Sequence, residues 1–209
     1  MLKIFAFASV ATLTFIPGET DMKLTGPDGV TGTASVKNTI LENGGKYVQI
    51  TMQLRRASQN VTVMQESSYD SKGAPLRKIQ VTTYPGGGGK QTLVANFEKD
   101  GAKVTGEAGG KQVNVTVPYP AGKSTRAVSE FWFARDVPAP GAVSTYWRFD
   151  LGSQEWVETK ATYQGRRKLK IGTQTYDAHL ITVGEGRAYV TNSGDPLRLE
   201  QGSITMERS

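Results

Sequence analysis

Strict alternation of apolar and polar residues is the feature that most limits how this 209-residue chain can fold. Valine, isoleucine, methionine and leucine occupy every second position from residue 48 to residue 54, and polar side chains fill the positions between them. Successive side chains of a strand point to opposite faces of a sheet, so a period of two predicts a strand with one buried and one solvated face. The same alternation recurs over residues 113–117 and 145–151. We therefore predict a fold made mainly of antiparallel strands.

Turn signals between the alternating segments predict a series of hairpins. The turn at Asp70–Gly73 has an aspartate at its first position and a glycine at its fourth, where glycine tolerates a positive φ angle. We expect it to join strands over residues 61–69 and 75–84. A similar signal at Asn192–Gly194 lies between two predicted strands, residues 187–191 and residues 197–206.

Residues 124–135 depart from the period of two. Val128, Phe131, Trp132 and Arg135 follow the i, i+3, i+4, i+7 spacing that places side chains on one face of a helix. A serine at the start of the segment can cap the helix, and two prolines shortly after its end prevent its continuation. The sequence therefore predicts many antiparallel strands and one short helix.

The first eighteen residues carry a pattern of their own. Lys3 precedes an apolar run from Ile4 to Ile16, and Pro17 and Gly18 end that run. A basic start followed by a short apolar stretch is typical of a secretory signal, which predicts a periplasmic or secreted protein. The run is too short to cross a bilayer as a helix, so we expect no transmembrane span. The alternative interpretation is a first β-strand, which predicts a cytoplasmic protein.

The residues that usually carry catalysis form no recognisable constellation in this chain. It has no cysteine and one histidine, which excludes disulfides, thiolate zinc sites and relays of two histidines. That histidine, His179, lies in a predicted strand over residues 176–183, where a lone histidine is more often structural than catalytic. The glycine-rich stretch 85–90 lacks the first glycine and the hydroxyl residue of a phosphate-binding loop. We predict a protein that is not an enzyme and that needs no cofactor or metal.

Aromatic side chains provide a first candidate binding site. Phe131, Trp132 and Phe133 lie on the predicted helix, and Trp147 and Phe149 share one face of a predicted strand. If the helix covers the sheet, these five side chains line the space between them. They then either form hydrophobic core or surround an apolar cavity for a lipid or acyl chain. A cavity would favour a carrier, and a packed core would favour an interaction module.

The densest positive charge provides a second candidate site. The chain has a formal net charge of +6, and Arg166, Lys168 and Lys170 alternate along one predicted strand, so that they share a face. We call these three residues the basic row. It predicts contact with an anionic surface or with a partner protein of the cell envelope. The alternative is that its lysines protect a strand edge from unwanted pairing. Nucleic acid is not an expected partner, because no aromatic residue is interleaved with the basic ones.

Several motifs follow one another in a characteristic order along residues 19–209. They are YDSKGAPLR (69–77), VSEFWF (128–133) with VPAPG (137–141), STYWRF (144–149), LKIGTQTYDAH (169–179) and AYVTNSGDPLR (188–198). In this order they resemble a family of bacterial periplasmic proteins of unknown function, which is related in fold to the lipoprotein carriers (LolA-like).

This resemblance implies a mainly β fold class and a single domain over residues 19–209. The expected architecture is a curved antiparallel sheet, or half barrel, with the short helix packed against its concave face. The carriers hold acyl chains in that concavity, so a lipid or a lipoprotein becomes an expected partner. Two hypotheses stay open. One is a non-enzymatic extracytoplasmic protein that holds an apolar ligand, and the other is an interaction module that binds a partner or an anionic envelope surface through the basic row.

Overall fold

The computed structural model describes residues 17–56, 59–85, 89–122, 137–192 and 195–209. These residues form fourteen strands of one antiparallel sheet. The first eight strands are β1 (Gly18–Thr25), β2 (Thr31–Ile40), β3 (Lys46–Arg56), β4 (Gln59–Tyr69), β5 (Pro75–Tyr84), β6 (Gly89–Glu98), β7 (Gly101–Ala108) and β8 (Lys111–Pro118). The other six are β9 (Val143–Asp150), β10 (Glu155–Ile171), β11 (Gln174–Val183), β12 (Gly186–Val190), β13 (Pro196–Gln201) and β14 (Ile204–Arg208).

Strands that are neighbours in the sheet are nearly all neighbours in the sequence. β1–β8 form one meander and β9–β14 form another, because each strand pairs with the strand that follows it. The two meanders join where β1 pairs with β14, with Met22 opposite Arg208 and Leu24 opposite Met206. The two edges of the sheet are therefore β8 and β9, which come from the middle of the chain.

Local turn chemistry explains where the strands end. Asp70 closes the turn between β4 and β5, because its side-chain Oδ1 accepts hydrogen bonds from the backbone N–H groups of Lys72 and Ala74, each at 2.8 Å. Gly73 has a φ of 88° in this turn, as its position predicts. The prediction of one strand over residues 197–206 is wrong, because Gly202 adopts a φ of 56° and opens a turn between β13 and β14.

The sheet curls until its two ends overlap. The main hydrophobic core lies between the inner faces of β1–β4 and β10–β14, and Tyr146 of β9 belongs to it. Phe149 of the same strand belongs to a second cluster, together with Leu93 and Ala95 of β6. Tyr146 and Phe149 lie on opposite faces of β9, and they are only 2% and 3% exposed. The second half of β9 therefore lies inside the curve of the sheet, with a hydrophobic cluster on each side of it.

Glycines allow neighbouring strands to approach closely where the sheet bends. A Cβ atom on Gly32 of β2 would lie 2.0 Å from the backbone oxygen of Gln53 in β3. A Cβ atom on Gly106 of β7 would lie at the same distance from the backbone oxygen of Thr92 in β6. Glycine inside a strand often marks such a bend, because a side chain would force the two backbones apart.

The predicted fold class is wrong about what covers the concave face. The described residues contain no helix, and β9 and β10 of the same sheet cover the concavity instead. An apolar inner face must be buried against another layer, and here the end of the sheet supplies that layer. The predicted helix over residues 124–135 and the apolar run over residues 4–16 lie outside the described residues. In the part of the chain that the structure describes, no helix has the length and apolar character needed to span a membrane.

We predict that Gly32→Ala lowers the free energy of unfolding by about 1–3 kcal/mol, the usual cost of forcing extra atoms into a packed site. Urea denaturation monitored by circular dichroism measures this change. Thr33→Ala is the control, because it changes an exposed side chain of the same strand and adds no atom between the backbones. An equal loss of stability in both variants would contradict the role assigned to Gly32.

Candidate functional site

A polar patch interrupts the apolar inner face of the sheet at β4 and β5. Gln65 and Ser67 of β4 lie opposite Gln80 and Lys78 of β5, on the same face as the core residue Val63. The Nε2 group of Gln65 donates a hydrogen bond to Oε1 of Gln80 at 3.1 Å. Both Ser67 and Gln80 are buried, so these polar groups lie inside the rolled sheet.

This patch faces the edge of β9. The Nζ group of Lys78 donates a hydrogen bond to the backbone oxygen of Phe149 at 3.4 Å. Arg148 and Asp150 of β9 line a cavity together with the polar patch. The cavity has a volume of about 30 Å³, which leaves room for one or two water molecules. Nη1 of Arg148 lies 3.5 Å from Oδ2 of Asp150, and both side chains are mostly buried. Lys78 therefore satisfies a backbone group at the edge of β9, which the curl of the sheet has removed from water.

Sequence reasoning missed the polar patch, although the sequence contains one signal for it. The inner face of β4 changes from valine at positions 61 and 63 to Gln65 and Ser67 without a break in the alternation. A buried face that turns polar midway along a strand has to meet a polar partner. The sequence does not show that this partner is β9, because the contact depends on how the distant end of the sheet curls.

The aromatic residues of the first predicted site fall into different environments. The ring of Phe149 makes nearly perpendicular contact with Phe97, with ring centroids 5.8 Å apart, and its centroid lies 5.1 Å from that of Trp156. Trp147 is partly buried and packs against the main core instead. The structure therefore does not bring Trp147 and Phe149 into one cluster. The other three predicted residues, Phe131, Trp132 and Phe133, lie outside the described residues.

The basic row is exposed on one face of the β10–β11 hairpin. Arg166, Lys168 and Lys170 have the arrangement that their spacing predicts, and all three are exposed. The opposite face of the hairpin carries Leu169 and Ala178, which are buried in a third hydrophobic cluster with Leu197. This cluster packs the hairpin against β13, so the strand that carries the basic row has a buried opposite face.

A β-bulge determines which side of the sheet the row occupies. The register of β10 against β11 shifts between Tyr163 and Gly165, and Gly165 has a φ of 88°. Tyr163 lies opposite Ile181, and after the bulge Arg166 lies opposite His179. Since His179 and Ile181 are two residues apart, they share the inner face of the sheet. The basic row therefore continues the inner face beyond the hydrophobic core.

Positive charge dominates the hairpin. Residues 164–179 hold four lysines and arginines and a single aspartate, a formal +3 of the +6 of the whole chain. Nζ of Lys168 lies 2.7 Å from Oδ1 of Asp177. The hydrogen bond from Lys168, together with the charges of Lys168 and Arg166, holds the pKa of Asp177 below its usual value. Arg166 and Lys170 extend the positive surface on either side of this pair.

His179 is a buried structural residue. It is 1% exposed, and its Nδ1 atom lies 2.8 Å from the hydroxyl of Tyr163. Its Nε2 atom lies 2.9 Å from Oδ1 of Asn192, which can only accept, so Nε2 carries the proton and Nδ1 accepts from Tyr163. Both ring nitrogens are thus engaged within the protein. Among the described residues, no group of three or more histidine, aspartate or glutamate side chains is arranged to hold a metal ion.

Comparison with known proteins identifies a structural relative and no sequence family. No protein-family model matches the chain, and no curated protein matches it. A crystal structure of a β-barrel-like protein from Brucella abortus, a domain of unknown function (DUF1849), is similar with a TM-score of 0.63. The similarity covers 94% of this chain and 96% of that chain at 11% sequence identity. It confirms the prediction of a barrel-like β fold shared with a protein of unknown function. The relation to the lipoprotein carriers and the periplasmic location stay predictions.

We predict that Tyr163→Phe lowers the free energy of unfolding by about 1–3 kcal/mol, because it leaves Nδ1 of buried His179 without its donor. Chemical denaturation measures the loss. Tyr176→Phe is the matched control, since that hydroxyl donates to Gln174 at an exposed site. If both variants unfold at the same denaturant concentration as the unmodified protein, the buried hydrogen bond does not stabilise the fold.

Proposed function

We propose that this protein is a non-enzymatic binding module that docks on an anionic surface of the cell envelope through the basic row. The observation that carries this proposal is the exposure of Arg166, Lys168 and Lys170 on one face of one packed hairpin. Asp177 is the carboxylate that lies opposite this row in the register of β10 and β11. The hairpin therefore presents a surplus of positive charge in a fixed arrangement.

The spacing of the row suits a surface of many negative charges. Alternate residues of a strand lie about 6.8 Å apart, so the three side chains project within about 14 Å of one another. A lysine or arginine close to an anionic lipid surface contributes about 1 kcal/mol. Three of them together correspond to an increase in affinity of roughly a hundredfold. Since exposed charges are screened by salt, this binding weakens as ionic strength rises.

Protection of a strand edge is the competing explanation for the row. From Arg166 to Ile171, β10 has left its partner β9 and pairs with β11 alone among the described strands. Two backbone oxygens of this segment already accept hydrogen bonds from arginines outside the row. Arg167 donates to the oxygen of Arg166 at 2.8 Å, and Arg198 donates to the oxygen of Lys170 at 3.2 Å. Because these two bonds already protect part of the edge, the basic row is not needed for that purpose. This favours a binding role for the row.

Lipid carriage has less support from the described residues. Phe149, one of the five aromatic residues expected to line a cavity, is packed against Phe97 and Trp156. This packing supports the core interpretation for Phe149. An extracytoplasmic location belongs to the proposal as well, and the apolar run from Ile4 to Ile16 behind Lys3 supports it.

We predict that the triple variant Arg166→Gln, Lys168→Gln, Lys170→Gln loses roughly a hundredfold in affinity for vesicles of phosphatidylcholine and phosphatidylglycerol. Vesicle sedimentation at low ionic strength measures the bound fraction, and added salt should release the unmodified protein. The matched control is Lys23→Gln, Lys37→Gln, Lys103→Gln, which removes the same charge from exposed positions on other strands.

The two triple variants separate a local site from a general effect of charge. A large loss in the first variant and a small loss in the control support docking through the row. Equal losses would show that only net charge matters, and unchanged binding in both would remove the row as a docking site. Aggregation of the first variant with undiminished vesicle binding would favour edge protection.

A further inference from the structure

The β8 strand is an edge of the sheet that faces solvent. No described strand pairs with its outer side. Gln112, Asn114 and Thr116 are exposed, and Val115 is 37% exposed. The other edge strand, β9, turns its second half into the interior of the roll. An exposed strand edge carries a row of backbone donors and acceptors that can pair with another chain.

The hairpin that leads into β8 determines which backbone groups point outwards. A two-residue turn, Gly109 and Gly110, places Ala108 opposite Lys111 as the closing hydrogen-bonded pair. Bonding alternates along antiparallel strands, so odd-numbered residues of β8 bond to β7 and even-numbered residues point their N–H and C=O groups outwards. The backbone oxygen of Val117 agrees, because it lies 2.2 Å from the Cβ position of Gly101 in β7.

The sequence of β8 is self-complementary about Val115. Residues 113–117 read Val-Asn-Val-Thr-Val, which has the same polar and apolar order in both directions. A two-fold axis at Val115 places this residue opposite its own copy and Asn114 opposite Thr116 of a second molecule. The outward-pointing backbone groups of Asn114 and Thr116 can then exchange hydrogen bonds, because a two-fold interface repeats each contact.

We propose that β8 pairs antiparallel with β8 of a second copy of this chain, in the register centred on Val115. Val115 then covers its own copy on the face where Val113 and Val117 already pack against the second cluster. The register keeps charges apart, since Lys111, the one charged residue of β8, lies at an end of the paired segment. Pro118, at the other end, has no N–H to donate and limits the pairing to about seven residues.

The size of the contact makes this dimer weak and reversible. An eight-residue strand is about 26 Å long, and pairing of two such edges buries well under the roughly 1,200 Å² of a stable interface. Two chains of net charge +6 also repel each other until salt screens them. The dimer should therefore form at high protein concentration and moderate ionic strength.

Cysteine cross-linking tests the register, and the chain suits it because it contains no cysteine. In the proposed dimer Val115 forms a non-hydrogen-bonded pair with its copy, with Cα atoms about 4.5 Å apart, within reach of a disulfide. Val115→Cys should form a covalent dimer under mild oxidation. Val113→Cys and Val117→Cys should each stay monomeric alone and should cross-link when mixed, because residue 113 faces residue 117 of the other copy.

The same set of variants can overturn the proposal. Cross-linking of Val113→Cys alone as fast as Val115→Cys would show random collision and no defined register. A second measurement uses Val115→Lys, which places two like charges opposite each other and should abolish concentration-dependent dimerisation in sedimentation velocity, with an unchanged circular dichroism spectrum. An unmodified protein that stays monomeric up to its solubility limit would overturn self-pairing. Protection of the β8 amides by an added extended peptide in that monomer would assign the edge to a different chain.

Discussion

The rolled sheet depends on hydrogen-bond partners for the backbone groups at the edge of β9. A curled sheet of fourteen strands that overlaps itself must place one of its edges inside, where each unpaired N–H or C=O group costs about 1–3 kcal/mol. The chain meets this condition with the polar patch on β4 and β5. Lys78 reaches a backbone oxygen of β9, and Arg148 and Asp150 pair beside it. The inner face is thus polar where it meets an edge and apolar where it meets side chains.

Both surfaces to which we assign binding lie where strand pairing stops. The basic row lies on the part of β10 that extends past β9, and β8 forms the exposed edge of the sheet. Inside the roll, the only histidine and the aromatic side chain of Phe149 are occupied by packing and hydrogen bonds. These two side chains therefore serve stability, whereas both proposed binding surfaces lie on exposed parts of strands.

The features that depend on short stretches of sequence could be predicted, and those that depend on distant strands could not. The alternation at residues 48–54 predicts a strand because side-chain direction is a local property, and the turn at Asp70 follows from local hydrogen bonds. The alternation over residues 145–151 assigns Tyr146 to a solvated face, which is wrong, because the second half of β9 is covered on both sides. The spacing of the basic row predicted that its residues share a face. It did not predict the bulge at Gly165, which places that face on the inner side of the sheet.

The pairing of β1 with β14 also has a consequence for how the chain folds. Every other pair in the sheet joins consecutive strands, whereas this one joins Met22 to Arg208 across nearly the whole sequence. Contacts between distant residues form slowly, because the loop between them must close before any bond stabilises it. We expect the two meanders to form early and to join in a later, rate-limiting step. Hydrogen-exchange labelling in which the amides of the β1–β14 pair gain protection as early as the amides within each meander would contradict this order of events.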